Sequence, residues 1–431
     1  MSSQSLETHY QSALALYRQR CTILTGCNIT PARVLLVLEK RLRVHLYILS
    51  YVLDDNENAD GAAETFIYIA RRLINADKAI HRELKRQLQR WVLEPEHERT
   101  AGIQDALELF EFPDFFSSLM ILFKSASVTR RLIISLWCRS NTSVPPAVIK
   151  QLFTHSDRQL NLAALDYYQV FSEQNYHQYS RFYEYDKYLH SDEENVREVV
   201  LRSLWIGLVK QDPNASIAVT SLLEILDGSD DYFTLLHLLA LCGDFQYYPV
   251  LLEACENDPQ QYYPLLGLYA GGHIVNDLLS ALARPQSAES AAVAWEMLTG
   301  QTLPLVTSMN TGTAENDNAD NTSEPEDGVE QYLPDVDQAN SWWKENNSKW
   351  EDHCRYRFGN VMTLSDLIDE SKTSTGTTRS ELYDLAAAIQ ADLLTLPRYG
   401  WLDKQIEILN SVNVNQAPVF VKSYEVENAG T

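Results

Sequence analysis

The sequence predicts an all-α protein built as an α-solenoid of HEAT-like helical hairpins, and three observations carry that prediction. Apolar residues recur at three- and four-residue spacing along most of the 431 residues, which is the period of a helix face. The strict alternation of apolar and polar residues that is typical of strands is nearly absent. From about residue 126 the breaks between helical segments become regular, which indicates a repeated unit of about 30 residues.

The N-terminal region, residues 1–98, is predicted to be helical. Its clearest helix is "PARVLLVLEKRLRVHLYILSYV" (31–52), which opens with Pro and carries apolar residues at 34, 35, 38, 42, 46 and 49. Similar patterns predict helices at about 6–24, 62–75, 78–93, 100–111, 113–124 and 128–139. On helix 78–93 a basic stripe includes Arg82, Lys85 and Arg86. We interpret the stripe either as a solvated face or as a docking strip for an acidic partner or for this chain's own acidic linker.

Residues 99–303 are predicted to form the HEAT-like repeats. A Ser, Asp or Asn precedes each apolar helix, and the spacing of these predicted capping positions averages 32 residues: Ser127, Ser156, Ser191, Ser229, Asn257 and Ser287. Second helices such as "ASIAVTSLLEIL" lie between them. A single hairpin of this kind cannot bury its own apolar stripe, so the hairpins are expected to stack.

One repeat is unusually rich in aromatic residues. The stretch "DYYQVFSEQNYHQYSRFYEYDKY" (166–188) holds nine of them in 22 positions, and a helix pair has room to bury about half. Tyrosine gives a large contact area at low entropic cost and is favoured in interfaces. We therefore predict partner binding by Tyr167, Tyr176, Tyr179, Tyr183, Tyr185 and Tyr188, with packing within the repeats as the alternative.

An acidic linker, residues 304–337, is predicted to join the repeats to a C-terminal tail, residues 338–431. Residues 307–337 carry nine Asp or Glu, and no Lys or Arg occurs between Arg284 and Lys344. Such a stretch cannot bury enough apolar surface to offset its ordering entropy. The tail opens with Trp342, Trp343 and Trp350. We predict that these rings dock the tail on the last repeat, with Trp343 and Trp350 on one helix face, and the alternative is that they bind a partner.

Several stretches occur in an order that resembles a family of HEAT-repeat bacterial proteins. They are "LALCGDFQYYPVLLEAC", "SAAVAWEMLTGQTLP", the acidic spacer, "ANSWWKENNSKW", "RYRFGNVMTLSDLIDE" and "TTRSELYDLAAAIQ". The resemblance covers roughly residues 120–410. Members of this family often lie in gene neighbourhoods of the type VI secretion system. The resemblance therefore implies an accessory role, as an immunity protein, adaptor or chaperone for a secreted effector or toxin, and it implies no catalytic residue.

Charge and composition narrow the classes of partner. The formal net charge is −24, and residues 101–431 hold 21 Lys and Arg against 47 Asp and Glu. A field of that sign repels nucleic acid and favours another protein as the partner. No signal peptide and no run of about 18 uncharged apolar residues is visible, so we expect a cytoplasmic protein without a membrane contact. The six cysteines form no C-x-x-C pair and are expected to be reduced.

The residues suggest no catalytic site, no cofactor and no metal site. A di-iron hydroxylase built on HEAT-like repeats would resemble a set of paired His-Glu motifs, and the chain has one such dipeptide, His97-Glu98. The adjacent pair His353-Cys354 cannot supply a tetrahedral zinc site without distant partners. The two His-Ser-Asp triplets that begin at His155 and His190 recur at repeat spacing, which favours helix capping over catalysis. We predict a non-catalytic protein-interaction scaffold. The alternative is a solenoid enzyme that acts on a small molecule or a protein side chain.

Overall fold

The structure is a computed structural model that describes residues 3–26, 30–53, 59–75, 77–125, 130–139, 148, 160, 194–308, 331–396, 400–413 and 416–423. These residues are mostly helical, as the sequence predicts. The helices are α1 (Ser3–Thr25), α2 (Ala32–Ser50), α3 (Ala62–Ile74), α4 (Lys78–Leu93), α5 (His97–Leu109), α6 (Pro113–Ser125), α7 (Arg130–Arg139), α8 (Glu194–Val209), α9 (Pro213–Leu226), α10 (Asp230–Cys242), α11 (Tyr248–Asn257), α12 (Pro259–Tyr269), α13 (Val275–Leu282), α14 (Ala288–Thr299), α15 (Val336–Asn346), α16 (Leu364–Thr373), α17 (Gly376–Ile389) and α18 (Leu402–Ser411). The strands are β1 (Leu305–Ser308), β2 (Gln331–Pro334), β3 (Tyr356–Arg357) and β4 (Asn360–Val361).

Helices α1 to α7 begin and end within three residues of the positions predicted from periodicity. The apolar stripe of each helix spans several turns, which is long enough to identify the helix from its sequence alone. Contacts divide the chain into unit 1, which is Met1–Ile225 with Ser365–Val414, and unit 2, which is Leu226–Leu364 with Asn415–Thr431. Each unit therefore combines two stretches that are distant in sequence.

The core of unit 1 is formed by the apolar stripes of its N-terminal helices. Phe66 of α3 is fully buried and stacks on Tyr17 of α1, with ring centroids 4.2 Å apart. Helix α5 lies very close to α3, because Gly102 has no side chain. A Cβ at Gly102 would lie 2.3 Å from the carbonyl oxygen of Ala62. This contact holds the two helices at a distance that only glycine permits.

The C-terminal stretch of unit 1 is fastened to α1, α2 and α5. The Trp401 indole donates to the carbonyl oxygen of Leu109 at 2.9 Å. Arg20 and Glu39 form an ion pair at 2.9 Å in which both side chains are buried. The second carboxylate oxygen of Glu39 accepts from the backbone N–H of Leu402 at 2.9 Å. The buried carboxylate is thus satisfied by two donors, which is the condition under which a buried ion pair is tolerated.

Unit 2 contains two successive helical hairpins with the same local plan. Helix α10 ends at Gly243 with φ 61°, and α12 ends at Ala270 with φ 60°. A three-residue 3₁₀ turn then leads into the second helix of each hairpin, at Phe245–Tyr247 and Gly272–Ile274. The left-handed residue ends the first helix, and the 3₁₀ turn redirects the chain for the next one.

The predicted capping serines in unit 2 lie at helix starts but do not cap them. Ser229 and Ser287 occupy the N-cap positions of α10 and α14 without accepting a bond from the first turn. Their hydroxyls donate instead to the carbonyl oxygens of Leu226 and Ala281. For α12 the cap is Asp258 rather than Asn257, and it accepts from Gln261 N–H at 3.3 Å. The serines therefore close the preceding turn, which competes with capping. Ser127, Ser156 and Ser191 lie outside the described residues.

The predicted linker, residues 304–337, has ordered ends. Strands β1 and β2 pair antiparallel, with Leu305 opposite Pro334 and Ser308 opposite Gln331. Residues 309–330, between the strands, lie outside the described residues. The pairing brings the start of α15 back to the end of α14, because Asp335 N–H donates to the carbonyl oxygen of Pro304 at 2.9 Å.

Candidate functional site

The crossing segment, residues 351–363, runs across the C-terminal ends of α10, α12 and α14 in unit 2. Each of these helices ends at a left-handed residue. Backbone N–H groups of the crossing segment bond to the helix ends: Tyr356 donates to Ala270 at 2.8 Å, and Phe358 donates to Met297 at 2.9 Å. Helix C-terminal carbonyls need partners from outside the helix, and the crossing segment supplies them.

Arg355 is the central side chain of this arrangement. It is 1% exposed. Its guanidinium donates to the carbonyl oxygens of Tyr269, Leu268 and Leu241, at 2.9, 2.7 and 3.2 Å. These acceptors lie at the ends of α10 and α12, where the helix dipoles are negative, so carbonyls replace the usual carboxylate partner. Burial lowers the pKa of Arg355 to about 10, which leaves the guanidinium charged at neutral pH.

The turn between β3 and β4 contacts the end of α14. Phe358 and Gly359 form its two central positions, with φ 49° and 80°. Positive φ at both positions is typical of a type I′ turn, and it is strained for a bulky residue such as Phe. Gly359 N–H donates to the carbonyl oxygen of Leu298 at 2.9 Å. The strain is therefore held in place by hydrogen bonds to the helix end.

The three predicted docking tryptophans contact one another and one helix of unit 2. Trp342 meets Trp295 of α14 edge to face, with centroids 5.5 Å apart, and Trp295 is fully buried. Trp350 stacks on Tyr356 at 3.8 Å. The prediction of one continuous helix through Trp343 and Trp350 is wrong, because α15 ends at Asn346 and a 3₁₀ turn follows. The two rings still meet, with centroids 5.6 Å apart.

Three potential metal ligands come together at the start of the crossing segment. Glu351, His353 and Cys354 place one ligand atom each within 4.8 Å of one another. The Glu351 Oε2 atom lies 3.2 Å from His353 Nε2 and 3.6 Å from Cys354 Sγ. Burial, and then the nearby Glu351 carboxylate, raise the pKa of the Cys354 thiol to about 11. Without a cation the thiol therefore stays protonated and donates to the carboxylate.

A group of aromatic and titratable side chains lies next to these ligands. His273 Nδ1 is 3.1 Å from the carbonyl oxygen of Asp352, and its ring packs edge to face on Tyr248. Burial lowers the pKa of His273, so the neutral imidazole is favoured. The Tyr248 hydroxyl donates to Asp277, and burial together with that carboxylate raises the tyrosine pKa. This hydroxyl is thus a hydrogen-bond donor and not a nucleophile at neutral pH.

One side of α2 in unit 1 carries several exposed apolar residues. We call this side, with Tyr51 directly after the helix end, the α2 face; its five apolar side chains are 42 to 68% exposed: Val34, Val37, Val44, Tyr47 and Tyr51. Val37, Val44 and Tyr51 are seven residues apart, so they are stacked along the helix. Exposed Arg33, Lys40 and Arg41 lie among them. Periodicity had placed Val34 on the buried side, and the structure corrects this, since Val34 is 42% exposed.

The predicted basic stripe on α4 is solvated over much of its length. Arg82 and Arg86 are exposed, and Lys85 is half-buried. The Arg82 guanidinium donates to the carbonyl oxygen of Lys78 at 3.3 Å. Arg86 pairs with Glu83 at 3.0 Å across a single helix turn. Exposed ion pairs of this kind stabilise a helix by less than about 1 kcal/mol, so these contacts leave the stripe open to solvent.

The predicted tyrosine patch, comprising Tyr167, Tyr176, Tyr179, Tyr183, Tyr185 and Tyr188, lies outside the described residues. It therefore remains a prediction. Within the part of the chain that the structure describes, no helix has the length and apolar character needed to cross a membrane. Comparison of the chain with family models, with curated proteins and with solved structures finds no match.

Two of these features, the α2 face and the Glu351–His353–Cys354 ligand group, were not predicted from the sequence. Sequence periodicity did not predict the α2 face, because it assigned Val34 to the buried side and because Arg33, Lys40 and Arg41 lie among the exposed valines. The signal that could have found it is Val37 and Val44, which lie seven residues apart on the side opposite the core positions. The ligand group was missed because His353 and Cys354 were considered without Glu351. The spacing Glu-x-His-Cys becomes a compact set only when the backbone turns at these residues.

Proposed function

We propose that this chain is a non-catalytic protein-binding scaffold of the α-solenoid type, and that it serves as an accessory to type VI secretion. In this role it would bind a secreted effector or toxin as an immunity protein, adaptor or chaperone. The repeated hairpin plan of α10 to α13 supports the solenoid part of the proposal. The single observation that carries the binding role is the exposed α2 face.

The α2 face has the composition of an interface. Val37, Val44 and Tyr51 are 57, 57 and 68% exposed and recur every seven residues, or about every two turns, on the same side. Removing this apolar surface from water would favour association by about 25 cal/mol for each Å² buried. Tyrosine and arginine are enriched at interface centres. The exposed Arg33, Lys40 and Arg41 favour a partner whose apolar surface is edged by carboxylates.

The test is affinity capture from the native host with the wild-type chain and with a V37E/V44E double variant. The control is I217E on α9, a different helix of unit 1, where the apolar residue is 68% exposed. We expect wild type and I217E to retain the same protein, and the double variant to bind it about 100-fold more weakly. Equal capture by all three chains would refute the role of the α2 face.

The type VI part of the proposal needs a separate experiment. The captured protein is expected to be a product of a secretion cluster that arrests growth when expressed alone. Co-expression of the wild-type chain should restore growth, and the V37E/V44E chain should not. A captured housekeeping protein, with no effect on growth in either case, would contradict this setting and leave the binding surface intact.

A further inference from the structure

We infer that Glu351, His353 and Cys354 bind one zinc ion. The three side chains offer a carboxylate oxygen, an imidazole nitrogen and a thiolate sulfur, which are the three donor types that zinc takes from proteins. Magnesium and calcium take oxygen ligands, so the nitrogen and sulfur atoms of this set favour zinc over either ion. This inference goes beyond the scaffold function and does not depend on it.

The distances between the ligand atoms fit a tetrahedral ion. Bonds of about 2.0–2.3 Å at tetrahedral angles place an oxygen and a nitrogen ligand about 3.4 Å apart, and an oxygen and a sulfur ligand about 3.6 Å apart. The corresponding distances from Glu351 Oε2 are 3.2 Å to His353 Nε2 and 3.6 Å to Cys354 Sγ. Two of the three distances between ligand atoms therefore match the edges of a tetrahedron, and the third pair, His353 and Cys354, lies within 4.8 Å.

The backbone and a ring contact hold the ligands in these positions. His353 and Cys354 lie on a stretch that is bonded on both sides: Val421 N–H donates to the His353 carbonyl at 2.8 Å, and Gly272 N–H donates to that of Cys354 at 2.9 Å. The His353 ring stacks on Phe420, with centroids 5.4 Å apart and planes 15° from parallel. Orientation of a metal-binding imidazole by its surroundings is typical of real sites.

Three protein ligands leave one tetrahedral position for solvent or an outside donor. Glu351 is exposed and His353 is half-buried, so an ion can enter from the solvent side, while Cys354 is buried beneath them. On binding, the Cys354 thiol releases its proton to solvent, and the resulting thiolate forms the bond to zinc. The Glu351 carboxylate loses the hydrogen bond that it accepts from the thiol and gains a bond to the ion in its place.

The test uses the full-length chain, stripped with EDTA and titrated with Co²⁺ as a spectroscopic substitute for zinc. We expect the near-ultraviolet thiolate-to-cobalt band and the intense visible bands of a tetrahedral ion, saturating at one cobalt per chain. Added Zn²⁺ should displace the cobalt and abolish the bands. A titration with no thiolate band, or with only the weak bands of six-coordinate cobalt, would overturn the inference.

Variants locate the ion. C354S should lose the thiolate band, and E351Q should weaken binding by at least about 10-fold, the scale reached even by changes outside the ligand set. The matched control is D352N, which removes the same charge from the neighbouring residue and should keep the wild-type affinity. E351Q changes an exposed carboxylate, so it tests the site even if C354S fails to fold. A thiolate band that persists in C354S, or equal losses in E351Q and D352N, would refute the assignment.

Discussion

Replacing Arg355 with methionine should destabilise the ends of α10 and α12 strongly. Methionine keeps most of the apolar stem but removes the donors to Tyr269, Leu268 and Leu241, whose bonds measure 2.9, 2.7 and 3.2 Å. A buried acceptor that loses its partner costs about 1–3 kcal/mol, and the variant recovers part of the cost of burying a cation. For three carbonyls we expect a net loss of about 3–5 kcal/mol in the free energy of unfolding.

Urea denaturation followed by circular dichroism measures the total loss, and amide hydrogen exchange locates it. Exchange should accelerate in residues 239–243 and 268–272, where the freed carbonyls lie. R357M is the matched control, because Arg357 is half-buried two residues away, and we expect it to cost less than about 1 kcal/mol. If R355M unfolds like R357M, or if exchange changes elsewhere and not at the helix ends, then Arg355 does not hold these helices.

Three further perturbations test other parts of the structure. Trp342→Ala should speed amide exchange in α14, because the half-buried Trp342 ring packs on that helix. The free energy of unfolding should fall by about 2 kcal/mol. Unchanged exchange in α14 would argue that the ring binds a partner. Burial lowers the folded-state pKa of His273, so the unfolded chain takes up protons first below about pH 6.5, and the melting temperature should fall from pH 7 to pH 5. That fall should be smaller in H273Q, and an equal fall would assign it to other groups. In urea denaturation, Gly376→Ala should lower the free energy of unfolding more than Gly228→Ala. Both glycines have positive φ, but only at Gly376 would a Cβ lie 2.3 Å from a backbone oxygen. Equal losses would mean that the backbone around Gly376 shifts to relieve this contact.

The sequence predicted the helices far better than their long-range contacts. Apolar periodicity places α1 to α7 because each helix must bury one side, and that requirement is local. It did not predict that Trp401 would lie under Arg43, with the guanidinium carbon 4.3 Å from the ring centroid. Nothing near Trp401 in sequence indicates its partners in α2 and α5. The composition change that suggested a linker at 304–337 likewise could not reveal β1 and β2, because their pairing depends on residues 23 or more positions apart.

Two of the buried arginines, Arg20 in unit 1 and Arg355 in unit 2, are stabilised by different chemistry. In unit 1, Arg20 is paired with Glu39, so a charge is balanced by a charge, and the carboxylate also accepts from Leu402 N–H. In unit 2, the Arg355 guanidinium donates to carbonyl oxygens at two helix ends, so its charge is balanced by the aligned peptide dipoles of those helices. The second solution requires two helices to end at the same place, which the repeated left-handed caps at Gly243 and Ala270 provide. The two hairpins with the same local plan bring the ends of α10 and α12 close together, and the planar guanidinium of Arg355, which has several donors, bonds to both.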